Sequence, residues 1–216
     1  MAKARVAVLI SGSGTNLQAL LDAASDPAYP AEIALVISNR PGAFGLTRAQ
    51  NAGVKALAID HKQFVTRAEF DAALDQSLRA HGIELVCLAG FMRLLTPGFV
   101  DKWTNRLINV HPALLPAFPG LDVQQRAIDA GARFSGCTVH FVTAEMDAGP
   151  ILVQAVVPIL GDDTAGSLSD RIRVQEHRAF PLALKLVAEG RVTIENGRAL
   201  IKDAAALTDC LINPAN

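Results

Sequence analysis

The sequence predicts an α/β fold, a mostly parallel central sheet with helices on both faces, and three observations lead there. Short apolar runs alternate with amphipathic helical segments from residue 5 to residue 131. Aliphatic residues are plentiful while aromatics make up only 5%, which suits strands buried on both sides. Half of the 216 residues are hydrophobic, enough for one large core. A single domain over 1–216 is therefore expected, with its core at about 4–190 and a hairpin and tail at 191–216.

Taken in order, "RVAVLI" from Arg5 to Ile10 is a continuous apolar run that ends at "SGSGTN", and so reads as a first buried strand. "NLQALLDAA" follows as a helix with Leu17, Leu20 and Leu21 on one face. "EIALVIS" gives a second strand, and "AFGLTRAQNAG" a helix closed by Gly53. "VKALAI" is a third strand. "TRAEFDAALDQSLRAHG" is an amphipathic helix with Thr66 as its cap and Gly82 at its end. "IELVCLAG" and "RLINV" supply two more strands. Beyond residue 120 the pattern changes: a helix at "DVQQRAIDAG", strands at "FSGCTVHFVT" and "PILVQAVVP", a helix from about Thr164 to Glu189, and an Asn-Gly hairpin in "VTIENGRALI". The tail from Ala204 to Asn216 offers no reading.

Composition narrows the function. A net charge of -1 lacks the basic excess of a nucleic-acid binder, and no apolar run is long enough for a membrane span or a secretory leader. Cys87, Cys137 and Cys210 are odd in number and far apart. They make neither a metal set nor a disulfide framework, and a reducing, cytoplasmic setting fits them.

Two segments carry chemistry. "SGSGTN" joins the first strand to the first helix, where glycines free backbone N–H groups for an anion and the helix adds its positive end. It has neither the third glycine of a dinucleotide fingerprint nor the lysine of a Walker loop. A plain glycine turn is the alternative. The second segment is "LINVHPALLPAFPG". Residues two apart on a strand share a face, roughly 6.5–7 Å apart, so Asn109 and His111 point the same way at a strand's carboxyl end. An amide beside an imidazole suits a carbonyl becoming an oxyanion. Pro112, Pro116 and Pro119 then stiffen the exit loop. A carboxylate near His111 would favour imidazolium. "TAEMDAGP" offers both Glu145 and Asp147, and spacing does not choose between them. No nucleophile elbow or HExxH motif occurs, which disfavours covalent and zinc mechanisms.

Together "SGSGTNLQAL", "LAGFMRLLTPGFV", "INVHPALLPAFPG", "TVHFVTAEMDAGPIL" and "RVQEHRAFPLAL", in that order, resemble the phosphoribosylglycinamide formyltransferase family of folate-dependent purine-synthesis enzymes. The resemblance runs to about Gly190 and implies a Rossmann-like formyltransferase fold. It implies transfer of a formyl group from 10-formyltetrahydrofolate to the glycinamide amine, with no metal and no nucleic-acid or membrane partner, in a monomer or homodimer. Asn109, His111 and Asp147 match the catalytic set, which implies that Asn109 and His111 stabilise the oxyanion while Asp147 supports the imidazolium, and so selects Asp147 over Glu145 as the carboxylate. Gly14, Thr15 and Asn16 match the cradle for the ribonucleotide's phosphate end. Arg173 matches a phosphate contact and Glu176 a glycinamide contact, although "RIRVQEH" by itself reads as a solvated helix face. Arg67, Met92, Arg93, Leu94 and Leu95 match the folate site, as does the backbone of Thr143, Ala144, Glu145 and Met146 leading to Asp147.

Ala117, Asp122 and Ala148 depart from the residues common in relatives. The last would be strained if its φ were positive. His140 also matches a family histidine, but its place in a strand reads as structural. Three other readings, a formyltetrahydrofolate deformylase, a methionyl-tRNA formyltransferase and a nicotinamide dehydrogenase, meet counter-evidence. The first strand starts near residue 5, which leaves no room for the N-terminal regulatory domain expected of a deformylase. The chain stops short of a tRNA-binding domain, and "VISNR" offers no acidic residue for a nicotinamide ribose. A non-catalytic folate or nucleotide sensor is the alternative from another class.

Overall fold

The computed structural model describes residues 2–205 and 211–213. Cys210 and most of the tail lie outside them. Seven strands are built in chain order: β1 (Ala4–Ile10), β2 (Ala31–Ser38), β3 (Ala56–Ala58), β4 (Leu85–Leu88), β5 (Leu107–His111), β6 (Phe134–Phe141) and β7 (Ile151–Pro158). Their order across the sheet is β3-β2-β1-β4-β5-β6-β7. The first five run parallel, while β5 to β7 pair antiparallel. The helices are α1 (Thr15–Ala24), α2 (Phe44–Asn51), α3 (Arg67–Ala80), α4 (Pro97–Lys102), α5 (Val123–Asp129) and α6 (Ala165–Ala188). The expected hairpin is present as β8 (Val192–Glu195) and β9 (Arg198–Ile201).

Burial on both faces explains why β1 reads as an unbroken apolar run. Val6, Val8 and Ile10 belong to one core with Leu17 and Leu20 of α1 and Ile172 and Phe180 of α6. Ala7 and Leu9 belong to the other, with Phe70, Leu74 and Leu78 of α3 and Trp103. Thr66 and Glu69 close a complete capping box at the start of α3. That cap contributes about 1 kcal/mol, whereas each large buried side chain contributes about 1.5–3 kcal/mol, so packing dominates the helix's hold on the sheet. Helix α4 is absent from the pattern reading because it is only 6 residues long. Its signal was Thr96 as cap followed by Pro97 in the first turn.

This strand order positions the site. From β1 the chain builds outward through β2 and β3 on one side and through β4 and β5 on the other. The two loops that leave β1 and β4 therefore diverge, and the crevice between them is where open α/β sheets bind ligands.

Candidate active site

A cleft of about 230 Å³ occupies that crevice, walled by the loop from Ser11 to Asn16, by Arg40 and by Ala89, Gly90 and Met92. The Met92 N–H donates to Ser11 Oγ at 2.8 Å, and Ser11 Oγ donates to Asn39 Oδ1 at 2.6 Å. These bonds tie the exits of β1, β2 and β4 together. Gly14 takes φ 71° as the cap of α1, and a Cβ there would lie 2.7 Å from the Gly45 backbone. Only glycine fits both demands.

From the cradle Asn16 reaches across to α6, where its Nδ2 donates to Glu176 Oε2 at 2.9 Å. Glu176 is only 8% exposed. Burial raises its carboxyl above the usual range, against the opposing pull of Asn16, Arg173 and His111. Asn16 Oδ1 is buried without a donor among the described residues, so one acceptor in this wall is available to a ligand N–H or O–H. A carboxylate with a raised pKa binds more protons folded than unfolded, so its cost to stability grows as pH rises through the interval between the usual value and the raised one. Glu176→Gln is therefore expected to melt above the parent protein at neutral pH and level with it below about pH 4. Each unit of elevation corresponds to about 1.4 kcal/mol. Melting curves at the two pH values check this; an offset independent of pH would assign the effect to packing.

At the end of β5, Asn109 and His111 share a face as the strand period requires, and β6 sets His140 opposite Asn109 and Thr138 opposite His111. Asn109 Nδ2 lies 3.2 Å from His140 Nε2, and His140 Nδ1 lies 2.8 Å from the Phe141 carbonyl. The carbonyl accepts only, so Nδ1 carries the ring proton and Nε2 accepts from the amide. Burial pulls the His140 pKa down, outweighing the Phe141 carbonyl and Asp147, which keeps that ring neutral. His111 is buried, with Nε2 donating to the Phe118 carbonyl at 3.0 Å and Nδ1 3.5 Å from Asp147 Oδ2. The same oxygen accepts from the Gly120 N–H at 2.9 Å, and Asp147 Oδ1 is 3.9 Å from His140 Nε2.

The loop after His111 is held by more than its prolines. Thr138, fully buried, donates to the Ala113 carbonyl at 2.7 Å and accepts from the Leu115 N–H at 3.0 Å. Gln154 on β7 donates to the Leu115 carbonyl at 2.9 Å and to Thr138 Oγ1 at 3.0 Å. Across the site, the residue of the Thr143–Gly149 loop with positive φ is Asp147, at 54°, and not Ala148. The departure at 148 therefore carries no left-handed strain. Gly149 is the position with no room: a Cβ there would lie 1.8 Å from the Phe141 carbonyl oxygen.

The remaining candidates are spread around this centre. Met92 and Leu94 are exposed, and Arg93 stacks over the Phe70 ring with its guanidinium carbon 5.4 Å from the centroid. Leu95 is partly buried against the core on the α3 face. Thr143, Ala144, Glu145 and Met146 form an exposed loop in which Thr143 Oγ1 donates to the Glu145 carbonyl at 3.0 Å. Arg67 is exposed at the start of α3, outside the cleft lining. Arg173 is also exposed and pairs with Asp170 at 2.9 Å, so taking a phosphate means exchanging that partner. Glu176 overturns the solvated-face reading of its segment, because it shares a buried stripe with Ile172 and Phe180. Sequence reasoning missed His140 as the orienting partner of Asn109 and missed Arg40 in the cleft wall. Burial pushes the Cys137 thiol up to about 12 and the Cys87 thiol higher, so neither is a nucleophile at neutral pH.

Residues 4–184 match the formyl transferase family. The chain belongs to that family. It is 42% identical to the phosphoribosylglycinamide formyltransferase of Haemophilus influenzae over 93% of this chain and 95% of that one. The crystal structure of glycinamide ribonucleotide transformylase 1 from Symbiobacterium toebii superposes with a TM-score of 0.91 at 52% identity, covering 93% of this chain and 95% of the other. A third relative, the trifunctional purine biosynthetic protein adenosine-3 of Gallus gallus, is 51% identical over 89% of this chain but only 19% of its own length. The chain thus spans about a fifth of that protein. No helix among the described residues is long and apolar enough to cross a membrane, and no group of three or more His, Cys, Asp or Glu among them is arranged for a metal ion.

Proposed function

We propose that this protein transfers a formyl group from 10-formyltetrahydrofolate to the amine of phosphoribosylglycinamide in purine biosynthesis, in the cytoplasm, as a monomer or homodimer. The observation that carries the reading is the convergence of Asn109, His111 and Asp147, with Glu176, which feels the charge of His111, bonded to Asn16 of the glycine cradle. Relatives of nearly the same length, named for this reaction, support it.

In this mechanism the phosphate end of the ribonucleotide sits on Gly14, Thr15 and Asn16 with Arg173 alongside, and Glu176 holds the glycinamide portion. The folate occupies the surface from Arg67 and Met92–Leu95 to the Thr143–Met146 loop. The amine lone pair forms the new C–N bond as the formyl C=O electrons move onto oxygen; the C=O then re-forms as the bond from the formyl carbon to the folate nitrogen breaks. Asn109 directs one Nδ2–H as a hydrogen bond to His140, which leaves the second N–H for that oxygen. His111 Nδ1, facing Asp147, is the ring nitrogen through which a proton passes as the attacking nitrogen loses one and the departing folate nitrogen gains one. The 3.5 Å separation of the pair is typical of a site whose catalytic hydrogen bonds tighten only with substrate. Holding both substrates together supplies a large further share of the rate.

The test is release of tetrahydrofolate from 10-formyltetrahydrofolate, followed by absorbance with and without phosphoribosylglycinamide. Release that requires the amine and matches formylated product is the expected result. Release without it would make water the acceptor and the protein a deformylase. Folate binding with no release under either condition would leave a sensor.

A further inference from the structure

The glycine cradle does not hold its shape alone; α2 supplies two of the three donors that fix it. Three consecutive carbonyls of the β1–α1 loop are each taken by a donor. Gly12 O accepts from the Gly45 N–H at 3.0 Å, Ser13 O from Arg48 Nε at 2.9 Å, and Gly14 O from the Gln18 N–H at 2.9 Å. In a trans peptide the carbonyl of one residue and the N–H of the next point in opposite directions. Fixing the oxygens of Gly12, Ser13 and Gly14 therefore aims the N–H groups of Ser13, Gly14 and Thr15 the other way. Among the described residues no acceptor takes any of these three N–H groups, nor that of Asn16. Such a row of outward N–H groups at a helix start is an anion site.

Of the three donors, two are backbone groups and would survive most substitutions. The Ser13 carbonyl alone depends on a side chain. Arg48 is partly buried, and its orientation is set from two further sides: Nη1 donates to Gln18 Oε1 at 3.2 Å, and its guanidinium carbon lies 5.1 Å from the centroid of the Phe44 ring. We infer that Arg48 is a positioning residue for the phosphate of the ribonucleotide, acting by holding the Ser13–Gly14 peptide so that the Gly14 N–H faces the phosphate. The inference rests on the proposed function for the identity of the ligand, and on the loop geometry alone for the role of the side chain.

The experiment compares the parent protein with Arg48→Met and Gln18→Met. Arg48→Met removes the donor to Ser13 O but keeps an unbranched side chain against Phe44. Gln18→Met leaves Arg48 in place and takes away one of its anchors. Binding of ribose 5-phosphate is measured by calorimetry, and the KM and kcat are measured for each substrate. Arg48→Met is expected to weaken ribose 5-phosphate and raise the KM for phosphoribosylglycinamide by about tenfold, the size of one charge-assisted hydrogen bond. Its kcat and folate KM should change less than twofold. Gln18→Met is expected to move the same two quantities in the same direction by about two- to threefold, and it carries the test if Arg48→Met does not fold. Unchanged ribose 5-phosphate binding in both variants, or equal losses toward both substrates, would overturn the inference. A parent protein that binds ribose 5-phosphate without formylating phosphoribosylglycinamide would overturn the proposed function instead, and the ribose 5-phosphate comparison would still decide the role of Arg48.

Discussion

His111→Ala is expected to slow formyl transfer by about 10²–10⁴-fold, the usual contribution of a positioned proton-transfer group, while both ligands continue to bind. The reason lies in what surrounds the ring. Asn109 keeps its tether to His140 without His111, and the cradle is built from other loops, so the binding surfaces outlast the substitution. Loss of the ring removes the proton carrier beside Asp147 and also the bond to the Phe118 carbonyl. That second loss is the weaker one, because Thr138 and Gln154 still clamp the loop at Ala113 and Leu115. Single-turnover transfer, with each ligand's affinity measured separately, checks the prediction. A rate within tenfold of the parent would remove His111 from the chemistry, and a parallel loss of binding would make it a scaffold residue.

What could be read from the sequence, and what could not, divides by range of interaction. Strand β1 was legible because alternate residues fill two cores, so no polar position interrupts the run from Val6 to Ile10. Helix α3 was legible from its amphipathic spacing between Thr66 as cap and Gly82 at its end, and the structure adds Glu69 to the cap and buries Phe70, Leu74 and Leu78 along its face. The shared face of Asn109 and His111 follows from the strand period alone. By contrast, His140 meets Asn109 only because β6 runs antiparallel to β5 in one register, and a register between strands separated by a long connection leaves no mark in either strand. Thr138 and Gln154 were invisible for the same reason, and the stiffness of the exit loop was credited to prolines alone.

The helix α6 shows a different kind of miss. Leu168, Ile172, Glu176, Ala179, Phe180 and Ala183 form its buried stripe, so the helical period did place Glu176 inward. Mixed charge in "RIRVQEH" drew the reading toward solvent, although Arg173 lies on the exposed side and Glu176 does not. A carboxylate on an apolar stripe costs free energy unless something uses it, and that conflict was the available signal. The resemblance to formyltransferases located Glu176, whereas the stripe explains why its carboxyl is perturbed.

Asp147→Asn is the other substitution expected to have a large effect, a loss of turnover of about 10²–10³-fold with an altered pH–rate profile. The amide is nearly isosteric and can still accept from the Gly120 N–H, so the Thr143–Gly149 loop keeps its place; at its end the Phe141 N–H also donates to the Pro150 carbonyl at 2.9 Å. What disappears is a negative charge 3.5 Å from His111 Nδ1 and 3.9 Å from His140 Nε2. Without it a proton on His111 loses its electrostatic partner, and an amide N–H turned toward His140 Nε2 would compete for the acceptor that orients Asn109. The loss should therefore appear in kcat, with the KM for each substrate within a few-fold of the parent. Glu145→Gln, two residues away on the exposed part of the same loop, serves as the control and should leave the pH profile where it was. If Asp147→Asn keeps the parent's pH profile, proton transfer does not run through the His111–Asp147 pair. If Glu145→Gln shifts the profile as much as Asp147→Asn, charge in the loop matters only as a general field, and the specific pairing fails.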